Sequence, residues 1–439
     1  MTTPESPRAS FIRAAIWYGS LEPAETILRA HPELANADIH TAAVLGDDAA
    51  VRRLLALDPG NATLTSAPHD GDALVYLGLS KYLRLDPARS GGFLRAAEAL
   101  LDAGADPNSG FWSEGPHPEF ETALYGAAGV AHHPGLTRLL LERGADPNDN
   151  EAAYHSPEGY ENDAMSLLVE TGRLTAQNLS MMLMRKHDWH DYQGVKYLLA
   201  HGADPNLDSF LGFRAIHHAI TRDNDRAIVE LLLDCGADPT LRQKGTTAVA
   251  LAARRGRGDL LSSFEKRGIP LALDGVDRLI AACARNDVEE VHSIAEREPA
   301  LAADLRDQGG KLLAEFSGTA NVDGVRQLLE HGVSIQALYD GDQYFDVAPN
   351  STALHVAAWR GRHEIVKLLV ERGALLNIPD GKGRTPLALA VKACVDSYWT
   401  HRRSPESVKV LLEAGASAAG APFPSGYDAV DELLKAHQA

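Results

Sequence analysis

Nine of the 18 histidines fall between His117 and His218, in less than a quarter of the chain. Imidazole titrates closest to neutrality and is the commonest metal ligand, so the cluster first raises acid/base or metal chemistry. Four stand out: His117, His155, and the pair His187 and His190 in 185-RKHDWHDY-192, beside Asp188, Trp189 and Asp191. A hydrolase or metal enzyme could use an imidazole or carboxylate as base and the remaining groups on a metal. The spacing H-D-x-H-D matches no strong ligand pattern, however, and H-E-x-x-H, G-x-S-x-G and a P-loop are missing. No catalytic residue, metal ligand or cofactor is assigned.

A second set of side chains suits binding better. Three long segments combine aromatics with carboxylates: Trp112, Glu119 and Phe120 in 109-SGFWSEGPHPEFE-121; Tyr154, Glu158 and Tyr160 in 149-DNEAAYHSPEGYEND-163; and Tyr344 in 338-LYDGDQYFDVAPNS-351. Aromatic rings on loops are unfavourable unless they pack on their own loop or meet a partner. Both outcomes are open at this stage.

These segments interrupt a repeat. Gly-Ala-Asp-Pro-Asn begins at Gly104, Gly144 and Gly202, Gly-Ala-Asp-Pro-Thr at Gly236, and looser copies at Gly332, Gly373 and Gly415. From Gly202 to Gly236 is 34 residues and from Gly236 to Gly268 is 32. Each unit reads as a loop, a small-residue helix, a turn and a leucine-rich helix, as in 351-STALHVAAWRGRHEIVKLLVERGALLN-377. Ala357 and Ala358 are small so that neighbouring first helices can approach; Ile365, Val366, Leu368 and Leu369 form the apolar stripe. Gly361 serves the turn and Gly373 a left-handed helix stop.

The unit resembles the ankyrin repeat, whose T-P-L-H-x-A-A, G-H, V-x-L-L-L and G-A-D-x-N pattern runs almost intact from 352 to 377 and returns as TPLALA at 385–390. The resemblance implies an all-α fold, an ankyrin-repeat solenoid of helix-turn-helix units with finger loops. It divides the chain into a disordered tail over 1–10, an array of about twelve units over 11–422, and a C-terminal capping helix over 423–439. It also implies structural duties for His217 and His355 at the T-P-L-H position, for His133 and His363 near the G-H turn, and for His201 and His331 before the glycine stop.

Composition narrows the function classes. A formal charge of −18 repels nucleic-acid phosphates and anionic lipid. Cys235, Cys283 and Cys394 are scattered without C-x-x-C spacing and read as buried thiols. There is no apolar run of about 18 residues, and MTTPESPRAS lacks the order of a secretory signal, so a cytoplasmic location is expected. Abundant Ala and Arg suggest a bacterial source.

The resulting expectation is a protein-protein interaction module, monomeric, binding a basic or amphipathic protein or peptide on its concave face, with neither nucleic acid nor membrane as partner. The binding residues are Trp112, His117, Glu119, Phe120, Tyr154, His155, Glu158, Tyr160, His187, Trp189, His190, Asp191 and Tyr344. The rival is an enzyme or small-molecule or metal-binding protein with a His/carboxylate site in the groove of units 4–7, centred on His117, His155, His187 and His190.

Overall fold

The computed structural model describes residues 5–397 and 399–438. The chain divides into two compact units, Met1–Asp238 and Pro239–Ala439. In the first, helices follow one another in pairs: α1 (Pro7–Ala15) with α2 (Glu22–Ala30), α3 (Ile39–Leu45) with α4 (Asp48–Leu57), and α5 (Ala73–Gly78) with α6 (Lys81–Leu85) and α7 (Ser90–Asp102). Next come α8 (Ala123–Tyr125) with α9 (Pro134–Glu142), α10 (Asn150–His155) with α11 (Asp163–Glu170), α12 (Ala176–Asp188) with α13 (Tyr192–Ala200), and α14 (Ala215–Thr221) with α15 (Arg226–Asp234).

The second unit repeats the scheme. It holds α16 (Ala248–Arg254) and α17 (Gly258–Lys266), α18 (Val276–Ala284) and α19 (Val288–Arg297), and α20 (Pro299–Asp307) leading into α21 (Gly309–Gly318) and α22 (Val322–Glu330). It closes with α23 (Ala353–Trp359) and α24 (His363–Glu371), α25 (Pro386–Val395) and α26 (Glu406–Glu413), and the single helix α27 (Asp428–Gln438). Among the described residues, extended structure is confined to short antiparallel pairs, β1 (Gly110–Trp112) with β2 (Phe120–Thr122) and β3 (Arg242–Gln243) with β4 (Thr246–Thr247), and to isolated bridges.

The repeat signature has identifiable physical work. Asp106, Asp146 and Asp204 each accept from the backbone N–H two residues on, shaping the loop so that the following Asn faces the next pair. Asn108 then accepts from Asp146 N at 2.8 Å and donates to Gly144 O at 3.2 Å; Asn206 does the same to Asp238 N and Gly236 O, both at 2.8 Å. Within α24, Ile365, Val366, Leu368 and Leu369 are buried as the stripe requires, and Gly361 and Gly373 adopt φ of 64° and 82°. First helices pack backbone to backbone: a Cβ on Gly126 would meet Gly78 C at 2.4 Å.

Four expectations need correction. Residues 7–10 are not a disordered tail, because α1 begins at Pro7: Ser6 caps it by accepting from Ala9 N at 3.2 Å, and Phe11 and Ile12 are fully buried. The capping helix begins at Asp428, with 423–427 as the loop leading into it. The segment 149–163 is only in part a finger, since Asp149 accepts from Glu151 N and Ala152 N to cap α10, the short first helix of its pair. Cys283 and Cys394 are buried, but Cys235 is exposed at the end of α15.

Candidate functional site

The segment between Asn108 and Thr122 folds into a two-stranded hairpin in which Phe111 pairs with Glu121 and Trp112 with Phe120. Alternation along a strand sends successive side chains to opposite faces. Phe111 turns inward, stacked 5.0 Å from the His69 ring and edge-on to Trp17 at 5.7 Å, which anchors the hairpin. Trp112 turns outward, 65% exposed, with its ring 5.3 Å from that of Phe120. Beneath this pair lies an open pocket of about 500 Å³, whose wall includes Glu119, Asp146, Asp149 and Glu151. Thr122 donates to Asp149 and so ties the hairpin base to the start of α10.

On its other face the hairpin presents Glu121, only 7% exposed, whose Oε2 has no hydrogen-bond partner. Burial, reinforced by the charges of Glu151 and Asp149, pushes the Glu121 carboxyl up to about 7. Tyr18, from the α1–α2 loop, and Tyr125 on α8 lie beside it, and burial raises both phenols. Next in line is His155. Burial pulls its pKa down, but Glu151 at 3.4 Å and Glu158 at 3.0 Å outweigh that and hold it at about 9. Charge then alternates along α10, α12 and α14: Glu158 meets Arg185 at 2.6 Å, Arg185 also pairs with Asp188, and Asp188 receives His218 at 2.8 Å and Arg222 at 2.5 Å. Burial works against the Asp188 carboxylate, yet His218, Arg222 and Arg185 together keep its pKa well below the usual range.

Two separate stretches, 181–269 and 323–419, match the family model for ankyrin repeats, with three copies recognised. The chain carries ankyrin repeats over these stretches. It is 34% identical over 113 residues to an ankyrin repeat protein of Rickettsia bellii (strain RML369-C), a match covering 22% of this chain and 44% of that one. It is 32% identical over 83 residues to serine/threonine-protein kinase 12 of Arabidopsis thaliana, covering 19% of this chain and 16% of the kinase. The ankyrin-repeat chain thus spans less than half the length of these curated relatives. Among solved structures, the ankyrin repeat domain of Bcl-3 aligns at 24% identity with a TM-score of 0.24, over 52% of this chain and 97% of that domain. The hairpin, α8 and α10 lie outside both stretches matched by the family model.

Within this ankyrin-repeat protein the four histidines singled out from the sequence do not share a site. His187 is fully buried on α12 and held neutral, at about 3, by burial and by neighbouring His218. His190 is exposed in a left-handed turn with φ of 52°, where the repeat ordinarily has glycine. His117 stands exposed at the hairpin tip, and His155 belongs to the charged line on α10. Among the described residues, no group of three or more His, Cys, Asp and Glu could hold a metal ion. The repeat histidines have structural partners: His355 Nε2 contacts Ile378 O at 2.9 Å, His133 contacts Ser90 at 2.7 Å and His363 contacts Ser407 at 2.6 Å. His201 and His331 close on the carbonyls of Tyr197 and Gln327. His40, unremarked in the sequence, does the work of His355 in the second pair through Leu64 O at 2.7 Å.

The aromatic candidates also divide. Tyr160 is 70% exposed and packs edge-on to Trp189 at 6.3 Å, beside a shallow second pocket with His132 and Glu161. Tyr154 is partly covered, with the Arg185 guanidinium 4.2 Å over its ring. Asp191 is structural: it caps α13, accepts from Asn162 at 2.9 Å and pairs at 2.9 Å with the buried Lys186 ammonium. In the second unit, Tyr344 lies against Phe345, and the loop folds on itself. Phe345 is buried, its carbonyl accepts from Trp359 at 2.6 Å, and Arg360 sits 4.0 Å over its ring. Trp399, between α25 and α26, packs edge-on to Trp359 at 5.7 Å, which makes 338–351 a local core.

Sequence reasoning did not find Glu121, Tyr18 or Tyr125. The alternation in 119-EFET-122 carries a signal for Glu121, legible once β1 and β2 are known to pair. Tyr18 reaches the site from the other end of the unit and leaves no local signal.

Proposed function

We propose that this ankyrin-repeat protein is an interaction module that holds a segment of a partner protein against hairpin 109–121 and the adjoining ends of α8 and α10. One observation carries the reading: Trp112 and Phe120 pack against each other with tilted rings at the surface over an open pocket, although the same hairpin buries Phe111 completely enough to anchor itself. A ring left outside a well-anchored hairpin contributes little to folding and a great deal to docking; truncating such an anchor typically costs about 2 kcal/mol or more of binding energy. Tyr160 and Trp189 form a secondary contact for a longer partner. Among the described residues no helix is long and apolar enough to cross a membrane. Free thiols at Cys235, Cys283 and Cys394 suit a reducing compartment, so the cytoplasm is the proposed location.

The test is photocrosslinking in the source cell. A photoreactive phenylalanine placed at Trp112 is compared with one at Leu57, which is 78% exposed at the end of α4. The reading expects a defined partner crosslinked from position 112 and not from 57, with the crosslink lost in Phe120→Ala. Equal products from both positions, or none from 112, would refute it.

A further inference from the structure

The pocket under Trp112 and Phe120 has a charge that the rest of the fold leaves unanswered. Of its lining side chains, Glu119, Asp146, Asp149 and Glu151 are carboxylates and none is basic. Two are partly engaged by the backbone, Asp146 with Asn148 N and Asp149 with the first turn of α10. Glu151 shares His155 with Glu158. On the opposite face of the hairpin, outside the pocket lining but within reach of the Glu151 and Asp149 charges, is Glu121, more than nine-tenths buried, with Oε2 unpartnered. From Glu158 onward each carboxylate of the alternating line has a basic partner; among the described residues, Glu151 is the one pocket carboxylate with such a partner, His155.

Resting on the interaction reading, we infer that this pocket seats one arginine or lysine side chain of a basic partner segment, its cation against the Trp112–Phe120 pair and the Glu119 and Glu151 carboxylates. The aromatic faces and the carboxylates favour the same ligand: a cation over tryptophan is attracted by the ring quadrupole, and partial enclosure strengthens both attractions. The pocket volume of about 500 Å³ accommodates a long side chain with flanking backbone.

A consequence separates this seat from diffuse attraction to a chain of charge −18. The groups facing Glu121 are Glu119 on its own hairpin, Tyr18 on the α1–α2 loop, Tyr125 on α8, Asp149 at the cap of α10, and Glu151 and His155 on α10. After burial, Glu151 and Asp149 contribute most to keeping Glu121 protonated. A cation on Glu151 cancels that push, so seating it releases a proton from Glu121 near neutral pH.

The experiment titrates the full chain with tetra-arginine and with tetra-citrulline, its neutral isostere, by calorimetry at pH 7 in phosphate and in Tris. The inference expects tetra-arginine to bind at least tenfold more tightly, and Glu119→Gln combined with Glu151→Gln to weaken it at least fivefold. Binding heats should differ between the buffers by a fractional proton, and Glu121→Gln should abolish the difference. Equal affinities, or a tetra-arginine affinity that ignores the paired variant, would overturn the seat; buffer-independent heats would overturn its link to Glu121. Should Glu151→Gln fail to fold, Trp112→Ala with Glu119→Gln, both on exposed hairpin positions, decides the same question. A partner that crosslinks from position 112 yet binds equally to the charge variants leaves the interaction reading standing and removes the cation seat alone.

Discussion

The Lys186 ammonium lies 2.9 Å from the Asp191 carboxylate, with the lysine side chain wholly removed from solvent and its second contact the Gly159 carbonyl at 2.9 Å. Burial lowers the lysine pKa, and Asp191 opposes that shift. The pair therefore clamps loop 156–162 to α12. Removing one member leaves the other charge buried alone, so Lys186→Met should cost about 3–5 kcal/mol. Lys186→Met with Asp191→Asn, which retains a capping side chain, should cost less than Lys186→Met alone. Urea unfolding of both variants tests the order.

His155 ties the same region to pH. Its folded pKa of about 9 lies above the ordinary 6.5, so folding takes up a proton there. That stability is fully present below about 6.5 and is lost as pH rises through 9. His155→Gln should lose on the order of 2 kcal/mol at pH 6.5, less at pH 9.5, and flatten the profile between. Thermal melts across that range provide the check.

Glu121 has the same sign, in a different window. Its carboxyl, raised from 4.5 to about 7, contributes stability below 4.5 that disappears as pH climbs through 7. Glu121→Gln keeps the neutral form at every pH. The variant should match the parent near pH 4.5 and exceed it by about 1–3 kcal/mol at pH 8. A variant less stable than the parent at pH 8 would contradict the assigned burial of this group.

Glycine contacts give a structural contrast. At Gly126 a methyl would meet Gly78 C at 2.4 Å and Leu79 N at 2.6 Å, backbone that cannot step aside. At Gly91, near the start of α7, it would meet only the end of the Arg95 side chain at 3.2 Å. Gly126→Ala should cost about 1–3 kcal/mol by overpacking, whereas Gly91→Ala should be neutral or stabilising by up to about 1 kcal/mol. Differential scanning calorimetry on both separates steric closeness from helix propensity.

The repeat was legible in the sequence because its residues act locally: Gly361 and Gly373 set φ, Ile365 to Leu369 follow the helical period, and His355 answers a loop 23 residues away. The site was only half legible. Trp112 and Phe120 announce themselves as aromatics on an enlarged loop, but whether such rings stay out or fold in depends on their neighbours, and Phe345 took the opposite course with Trp359 and Arg360. His187 and His190 looked like a pair because they are close in sequence. Helix phase puts one in the core, and the turn puts the other in solvent. The six-residue α10 was too short for periodicity to reveal within 149–163, and Tyr18 meets Tyr125 through folding over more than a hundred residues.

The asparagine contacts between successive pairs bear on how such a chain can change. Asn108 and Asn206 grip only main-chain atoms of the following loop, an N–H and a carbonyl that every ordinary residue possesses. The clasp is blind to the side chains it holds. A stretch can therefore lengthen, as it has between Asn108 and Thr122, or exchange its residues wholesale, while the join on either side is kept. Because the join reads only main chain, change in the side chains it holds leaves its hydrogen bonds in place.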